Sequence, residues 1–293
     1  MNNQYTYDVT MFRDTFESRF TYLNGFLRNV SRFSTRPALN DPISGRRWTY
    51  AELNAEANRL AHALRADGVG KNDVVMFALL NSPEFVFCYL AAHKIGAIAC
   101  PVNYRQGAGE IALVIDDSRP KAFLYDAEFG DLSAGALGMC VYKPDVTIMV
   151  DYKGSAQAPD GHILYQDYVA NQPETDPPID FAPHIYDETT RLYTSGTTNR
   201  PKGVPINNVN EVLSAHDVMM HFPLGPTDRT MNMTPWFHRG GTHSGGPCPT
   251  LYAGGEVVIL RDFSPKRCLE YAEKYEVSFL IGVPTIIAML ARA

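Results

Sequence analysis

Tyr193-Thr-Ser-Gly-Thr-Thr-Asn-Arg-Pro-Lys-Gly-Val204 is the stretch on which the reading of this chain turns. Four hydroxyl side chains, Thr194, Ser195, Thr197 and Thr198, surround Gly196, and a cation follows at Lys202. That combination suits a polyphosphate: backbone N–H groups left accessible by glycine, short hydroxyl donors and a mobile ammonium. A surface turn of small polar residues is the plainer reading of such a composition. Against it stand the apolar Leu192 and Tyr193, which lead in as a strand does, and the closing Pro201-Lys202-Gly203. The run is not the P-loop of the common NTPases, where glycine directly precedes the lysine and Ser or Thr directly follows it. Here Pro201 precedes Lys202 and Gly203 follows.

Upstream of this run, strand and helix signals alternate. Met11 to about Arg32 carries Phe12, Phe16, Phe20, Leu23, Phe26 and Leu27 at helical spacing and predicts one helix. Two short strands flank Pro42 and Gly45. Thr49 and Glu52 then form a capping box before Leu53, Ala57, Leu60, Ala61 and Leu64, a helix that ends near Gly68 and Gly70. Val74–Leu80 is an apolar run of strand length, as a strand buried on both faces requires. Ser82-Pro83-Glu84 caps a helix that Gly96 stops; Ala97–Pro101 and Ala122–Tyr125 read as strands around a helix near Glu110–Ile115, and Val146–Val150 as a further strand. Such alternation implies βαβ crossovers, hence an α/β fold with parallel-rich sheets covered by helices. From Tyr152 to Asp187 the chain is rich in Pro, Asp, Gly and Ala and loses periodicity, which marks a long connection or a subdomain boundary.

The 293 residues suffice for a substantial core. A formal charge of −6 without a dense Lys/Arg stripe argues against a nucleic-acid partner. Cys88, Cys100, Cys140, Cys248 and Cys268 are far apart and include no Cys-x-x-Cys, which favours reduced thiols over disulfides or a zinc site. Neither a signal peptide nor a membrane-spanning apolar stretch is found in these residues, so a soluble, cytoplasmic protein is expected.

Thr234-Pro-Trp-Phe-His-Arg-Gly-Gly is the second informative stretch. With the hydroxyl run it resembles the adenylate-forming superfamily of acyl-CoA synthetases, peptide-synthetase adenylation domains and luciferases. That family's nucleotide loop reads Tyr-Thr-Ser-Gly-Thr-Thr-Gly-x-Pro-Lys-Gly-Val, and the chain departs from it at Asn199. Asparagine tolerates the left-handed region better than most residues, so Asn199 is expected at positive φ. Pro235, Phe237, His238 and Gly241 fall on the family's Pro-x-Phe-His-x-x-Gly. Trp48-Thr-Tyr-Ala-Glu-Leu, the glycine turn before Glu256-Val-Val-Ile-Leu, and Tyr275 onward to Val283-Pro-Thr extend the likeness over nearly the whole chain.

The resemblance implies an ATP-dependent carboxylic acid–CoA ligase that forms an acyl-adenylate and then an acyl-CoA thioester, with ATP, Mg2+ and coenzyme A as its cofactors. It places Thr194, Ser195, Gly196, Thr197, Thr198 and Lys202 on the ATP phosphates, and Trp236, His238 and Gly241 at the pocket of the acid and its adenylate. Arg239, His243, Gly245 and Gly246 are further candidates to line that pocket. Residues 1–187 would be the first subdomain of the large N-terminal domain and 188–293 an incomplete second one. The family's Tyr-Gly-x-Thr-Glu segment, which helps hold magnesium, and its C-terminal lysine domain do not occur here. No complete catalytic set and no metal ligands are therefore assigned, and these residues alone are expected to be inactive, to bind ATP weakly and to self-associate. The alternatives are a non-catalytic nucleotide-binding or interaction module and a luciferase-like member.

Overall fold

The computed structural model describes residues 8–194 and 200–293. The strands among them are Pro37–Asp41 (β1), Arg46–Thr49 (β2), Val74–Ala78 (β3), Ile98–Pro101 (β4), Ala122–Asp126 (β5), Val146–Val150 (β6), Ile163–Leu164 (β7), Glu188–Thr194 (β8), Lys202–Asn207 (β9), Arg229–Asn232 (β10), Glu256–Val258 (β11) and Phe279–Ile281 (β12). They form two sheets, in the orders β12-β10-β11-β1-β2 and β7-β6-β5-β3-β4-β8-β9. Only β1–β2 and β8–β9 pair antiparallel among the described residues. The fold is thus α/β with parallel-rich sheets, as the alternation of signals predicts.

Each sheet draws on both halves of the chain. β1 pairs with β11, Leu39 opposite Val257, and β4 pairs with β8, Ala99 opposite Thr190. The division expected at 187/188 therefore does not coincide with a sheet boundary.

β3 is central and buried at every position. Its side chains alternate between two cores, since successive residues of a strand face opposite ways. Val75 and Phe77 face the core between the sheets, whereas Met76 and Ala78 face helices Ala108–Ser118 and Gly130–Met139. The inter-sheet core holds the helix Pro83–Lys94, apolar all round and buried almost throughout. Phe85 packs edge-on to Phe77 with ring centroids 5.0 Å apart. Burying a side chain of that size contributes roughly 1.5–3 kcal/mol. Ser82 Oγ accepts the Phe85 N–H, and Pro83 occupies the first turn, where no N–H is needed. The box before helix Tyr50–Ala66 forms both ways: Thr49 Oγ1 accepts the Glu52 N–H at 3.2 Å and Glu52 Oε2 accepts the Thr49 N–H at 2.8 Å.

One helix over Met11–Arg32 is not what forms. Helix Val9–Phe12 widens into a π-turn at Arg13–Glu17 and stops, and a new helix, Tyr22–Arg32, starts with Thr21 as its N-cap. The Thr21 hydroxyl accepts the Asn24 N–H and ends the earlier periodicity, which leaves Phe16 exposed. Between Tyr152 and Asp187 regular structure is sparse, yet the chain is tied down: Asn58 Nδ2 donates to the Glu174 carbonyl, and Lys94 pairs with Asp176 at 2.7 Å. Among the described residues no helix is long and apolar enough to cross a membrane.

Candidate functional site

β8 and β9 form a hairpin in which Thr194 and Lys202 are opposed at the open end of the ladder. The intervening run leaves and returns at one place. Of the expected phosphate ligands, Ser195, Gly196, Thr197 and Thr198 lie outside the described residues, as does Asn199, so its expected positive φ does too. Thr194 and Lys202 are exposed, and Lys202 has no ion-pair partner among the described residues. It borders an open cleft of about 560 Å³ with Asp117, Glu188, Arg191 and Gly203. The other charges there are engaged. Arg191 donates to both oxygens of Glu188 at 2.7 Å, and Asp117 accepts the Tyr193 hydroxyl at 2.5 Å. Of the described cations that line the cleft, Lys202 is the one left available to an anionic ligand. For Mg2+ the fit fails here: the cleft's two carboxylates, Glu188 and Asp117, are taken by Arg191 and Tyr193.

The second motif follows β10 and turns back over the carboxyl ends of β3, β10 and β11, the edge at which open α/β sheets place their ligands. Two buried amides hold it. Asn81 accepts the Trp236 N–H at 2.8 Å and donates to the carbonyls of Thr234 and Leu260 at 3.2 and 3.0 Å. Asn232 donates to the carbonyls of Gly240 and Gly241 and accepts the Thr234 N–H. The Thr242 hydroxyl closes the turn onto the Trp236 carbonyl. Gly241 is required by this return: a Cβ there would stand 2.0 Å from the Pro235 carbonyl oxygen. Gly246 is under the same constraint, its Cβ falling 1.7 Å from the Gly241 oxygen.

The named residues of this motif have different environments. His238 is exposed at the start of the short helix Arg239–Thr242, its ring 4.1 Å from that of Phe237. Partial loss of hydration lowers its pKa, and the nearby Arg105 guanidinium adds to the effect, so the imidazole is held neutral at pH 7. Phe237 meets Tyr104 edge-on, and Tyr104 stacks on Phe129 at 4.7 Å, so an aromatic wall runs from the end of β4 to His238. Trp236 is packed in the core, 1% exposed and edge-on to Phe85, rather than lying along an open wall. Arg239 donates to the Ser214 hydroxyl at 2.8 Å. His243 turns inward to Glu211 and is buried.

Asn81, Asn232, Arg105 and Tyr104 were not among the residues singled out from sequence. Asn81 sits between a strand signal and a helix cap, where an asparagine reads as a turn residue. Only its place at the carboxyl end of β3 makes it a clamp.

The profile of the AMP-binding enzyme family matches residues 26–293. A 3-hydroxybenzoate–CoA/4-hydroxybenzoate–CoA ligase of Thauera aromatica is 32% identical over 248 residues, covering 83% of this chain and 46% of the relative. A crotonobetaine/carnitine–CoA ligase of Salmonella typhimurium is 29% identical over 255 residues, covering 84% and 47%. Among solved structures, the anthranilate CoA ligase AuaEII in complex with anthranoyl-AMP superposes with a TM-score of 0.84 at 24% identity, covering 92% of this chain and 51% of that one, a likeness of fold. ATP-bound MatB from Rhodopseudomonas palustris gives 0.76 at 28% identity, with the same two coverages. The chain spans about half the length of the curated relatives it matches. With the match extending from residue 26 to residue 293, over both the hairpin and the motif after β10, the chain belongs to the AMP-binding enzyme family.

Proposed function

We propose that these residues supply the nucleotide hairpin and one wall of the acid pocket of an ATP-dependent carboxylic acid–CoA ligase. The observation that carries the reading is the hairpin itself: Lys202, without an ion-pair partner among the described residues, faces Thr194 across the mouth of a run of hydroxyls and glycine. Family membership and relatives named as CoA ligases support it.

In this reading a carboxylate oxygen of the acid attacks the α-phosphorus of ATP. The bond from that phosphorus to the bridging oxygen breaks, and pyrophosphate leaves. Lys202 and the hairpin hydroxyls offset charge gathering on the departing phosphates, where phosphoryl chemistry depends chiefly on positioning and electrostatics. The sulfur of coenzyme A then takes the acyl group and AMP departs. The clamp at Asn81 and Asn232 fixes the position of His238, whose neutral ring adds no charge beside the acyl carbon. Coenzyme A and the acid are the proposed partners. The wall of Phe237, Tyr104 and Phe129 favours a flat aromatic acid over a long aliphatic one. The share of the relatives' length that the chain covers supports a further reading, that residues 1–293 alone have little ligase activity.

ATP–pyrophosphate exchange across a panel of aromatic and aliphatic acids, measured on the protein at its full native length, tests this. Acid-dependent exchange, greatest with an aromatic acid, is expected. Nucleotide binding without exchange for any acid would leave a non-catalytic module instead, and oxygen-dependent light emission a luciferase-like enzyme.

A further inference from the structure

Arg261 lies just beyond β11, next to the Leu260 carbonyl that Asn81 holds, and only 6% of its surface is exposed. A charge is buried only against partners, and those of Arg261 come from both sheets. Its Nη2 donates to Asp126 Oδ2 at 2.5 Å and to Glu128 Oε1 at 3.1 Å. The guanidinium carbon stands 3.9 Å from the centre of the Tyr152 ring, and the Tyr152 hydroxyl donates to Asp41 at 2.6 Å. Asp41 ends β1 and Asp126 ends β5, strands of the five-stranded and the seven-stranded sheet. Arg261 therefore fastens the carboxyl edge of one sheet to that of the other.

Asp126 has a second task. It caps the single helical turn Ala127–Phe129, its Oδ1 accepting the Glu128 N–H at 3.0 Å while Oδ2 faces Arg261. That turn delivers Phe129 to the face of Tyr104, with the two rings nearly parallel at 12°. Tyr104 in turn meets Phe237 edge-on at 4.9 Å, beside His238. An unbroken path of contacts thus runs from Arg261 to the aromatic wall, through one carboxylate and one turn. Stability alone is a poor account of it, since a buried ion pair often contributes no more than an apolar replacement of similar volume. Arg261 Nη1 is moreover buried without a hydrogen-bond partner, which subtracts from stability. What the planar group supplies is geometry: held between two carboxylates and a ring face, it leaves the turn little freedom to rotate.

We propose that Arg261 is a positioning residue of the acid pocket: through Asp126 and Glu128 it holds the turn that sets Phe129 against Tyr104, and so favours flat aromatic acids. It acts through the turn and not on the reacting atoms. The step from wall to acid rests on the ligase reading, whereas the step from Arg261 to the wall does not. Loosening the turn lets the Phe129 ring tilt and weakens discrimination between planar and flexible acids. The Lys202 hairpin, built from β8 and β9, keeps its place.

Removing the guanidinium outright would strand Asp126 as a buried charge, so the informative changes are conservative. Arg261→Lys keeps the charge and loses the planar group. Asp126→Asn weakens the ion pair and keeps the cap, because asparagine also caps well. Arg47→Lys is the control: its pair with Glu256 lies within the five-stranded sheet, away from the wall. The first readout is fluorine NMR of the whole chain labelled with meta-fluorotyrosine, the Tyr104 line being assigned with Tyr104→Phe. Arg261→Lys and Asp126→Asn should move that line, and Arg47→Lys should not. The second is ATP–pyrophosphate exchange by the native-length protein with its fastest aromatic acid and with hexanoate. Both variants should raise the KM of the aromatic acid about tenfold and that of ATP by less than about twofold, as expected for misplacement remote from the chemistry. Their preference for the aromatic acid over hexanoate should shrink. Should Arg261→Lys not fold, Asp126→Asn carries both readouts. A Tyr104 line that neither variant moves overturns the proposal, as does an equal rise in both KM values, and Arg261 is then a clasp between the sheets alone. No exchange by the unaltered protein with any acid would sink the ligase reading instead, and the Tyr104 line would still decide whether Arg261 sets the wall.

Discussion

The side-chain amide of Asn81, just beyond β3, accepts the backbone N–H of Trp236, just beyond β10, at 2.8 Å, joining the two sheets where their strands end. Asn81→Ala removes this acceptor and both donors, leaving the Trp236 N–H and the Leu260 carbonyl buried without partners. Each such group costs about 1–3 kcal/mol. The midpoint of urea unfolding should fall with little change in the slope, and a wild-type midpoint would mean the clamp contributes nothing.

Lys202→Ala acts on ATP rather than on the acid. A charge-assisted contact of about 1.5–3 kcal/mol corresponds to roughly a ten- to a hundredfold rise in the KM for ATP. Steady-state kinetics of the native-length protein with each substrate varied in turn gives the comparison. An equal change in both KM values, or none, would remove Lys202 from the phosphates.

His238 titrates below its ordinary value of 6.5, by partial desolvation first and Arg105 second. A histidine depressed in the folded state binds protons more readily when unfolded. Its contribution to stability is therefore present above about pH 6.5 and lost as the pH falls through the lower folded value. Arg105→Ala should raise the midpoint followed by NMR of the ring C–H, without restoring it fully because desolvation remains. A midpoint unmoved by the substitution would show that the guanidinium does not act on the ring.

Gly240 and Gly241 are adjacent and should respond oppositely. A Cβ at Gly241 meets the Pro235 backbone at 2.0 Å, whereas one at Gly240 meets nothing within 4 Å. Gly241→Ala should destabilise by about 1–3 kcal/mol or more, since backbone gives way less readily than a side chain. Gly240→Ala should be neutral or slightly stabilising. Thermal melts of the pair distinguish close approach from a general need for flexibility.

Leu280, Val283, Ile287 and Met289 expose 39%, 45%, 50% and 53% of their surface within one short stretch. Apolar clusters of that kind favour association. Sedimentation velocity of the 293-residue chain should show species larger than the monomer, shifting back when Ile287 and Met289 are changed to Lys. A monomer at all concentrations would mean the stretch does not drive association.

Local chemistry was legible where it acts within a few residues. The Thr49–Glu52 box, Ser82 before Pro83 and the unbroken apolar run of β3 each specify an element without help from elsewhere. The strand that leads into the hydroxyl run was legible for the same reason, from Leu192 and Tyr193. Where tertiary contacts decide, the pattern misled or said nothing. Phe12, Phe16 and Phe20 keep helical spacing with Leu23 and Phe26, but the first helix stops at Glu17 and the next begins only after the cap at Thr21. Trp236 reads as a pocket residue by position in its motif, while the helix carrying Phe85 takes it into the core. Glu211, His243 and Cys248 share no spacing that announces a cluster, since three separate segments bring them together.

The pairing of β1 with β11 also bears on how the chain acquires its structure. When β1 and β2 emerge from the ribosome they can form their own hairpin, but the outer edge of β1 has no neighbour until Val257 and Val258 are made. Contacts so distant along the chain fold slowly, and an edge left open meanwhile invites pairing with other chains. Synthesis of this protein therefore passes through a long interval in which that edge of β1 stands open.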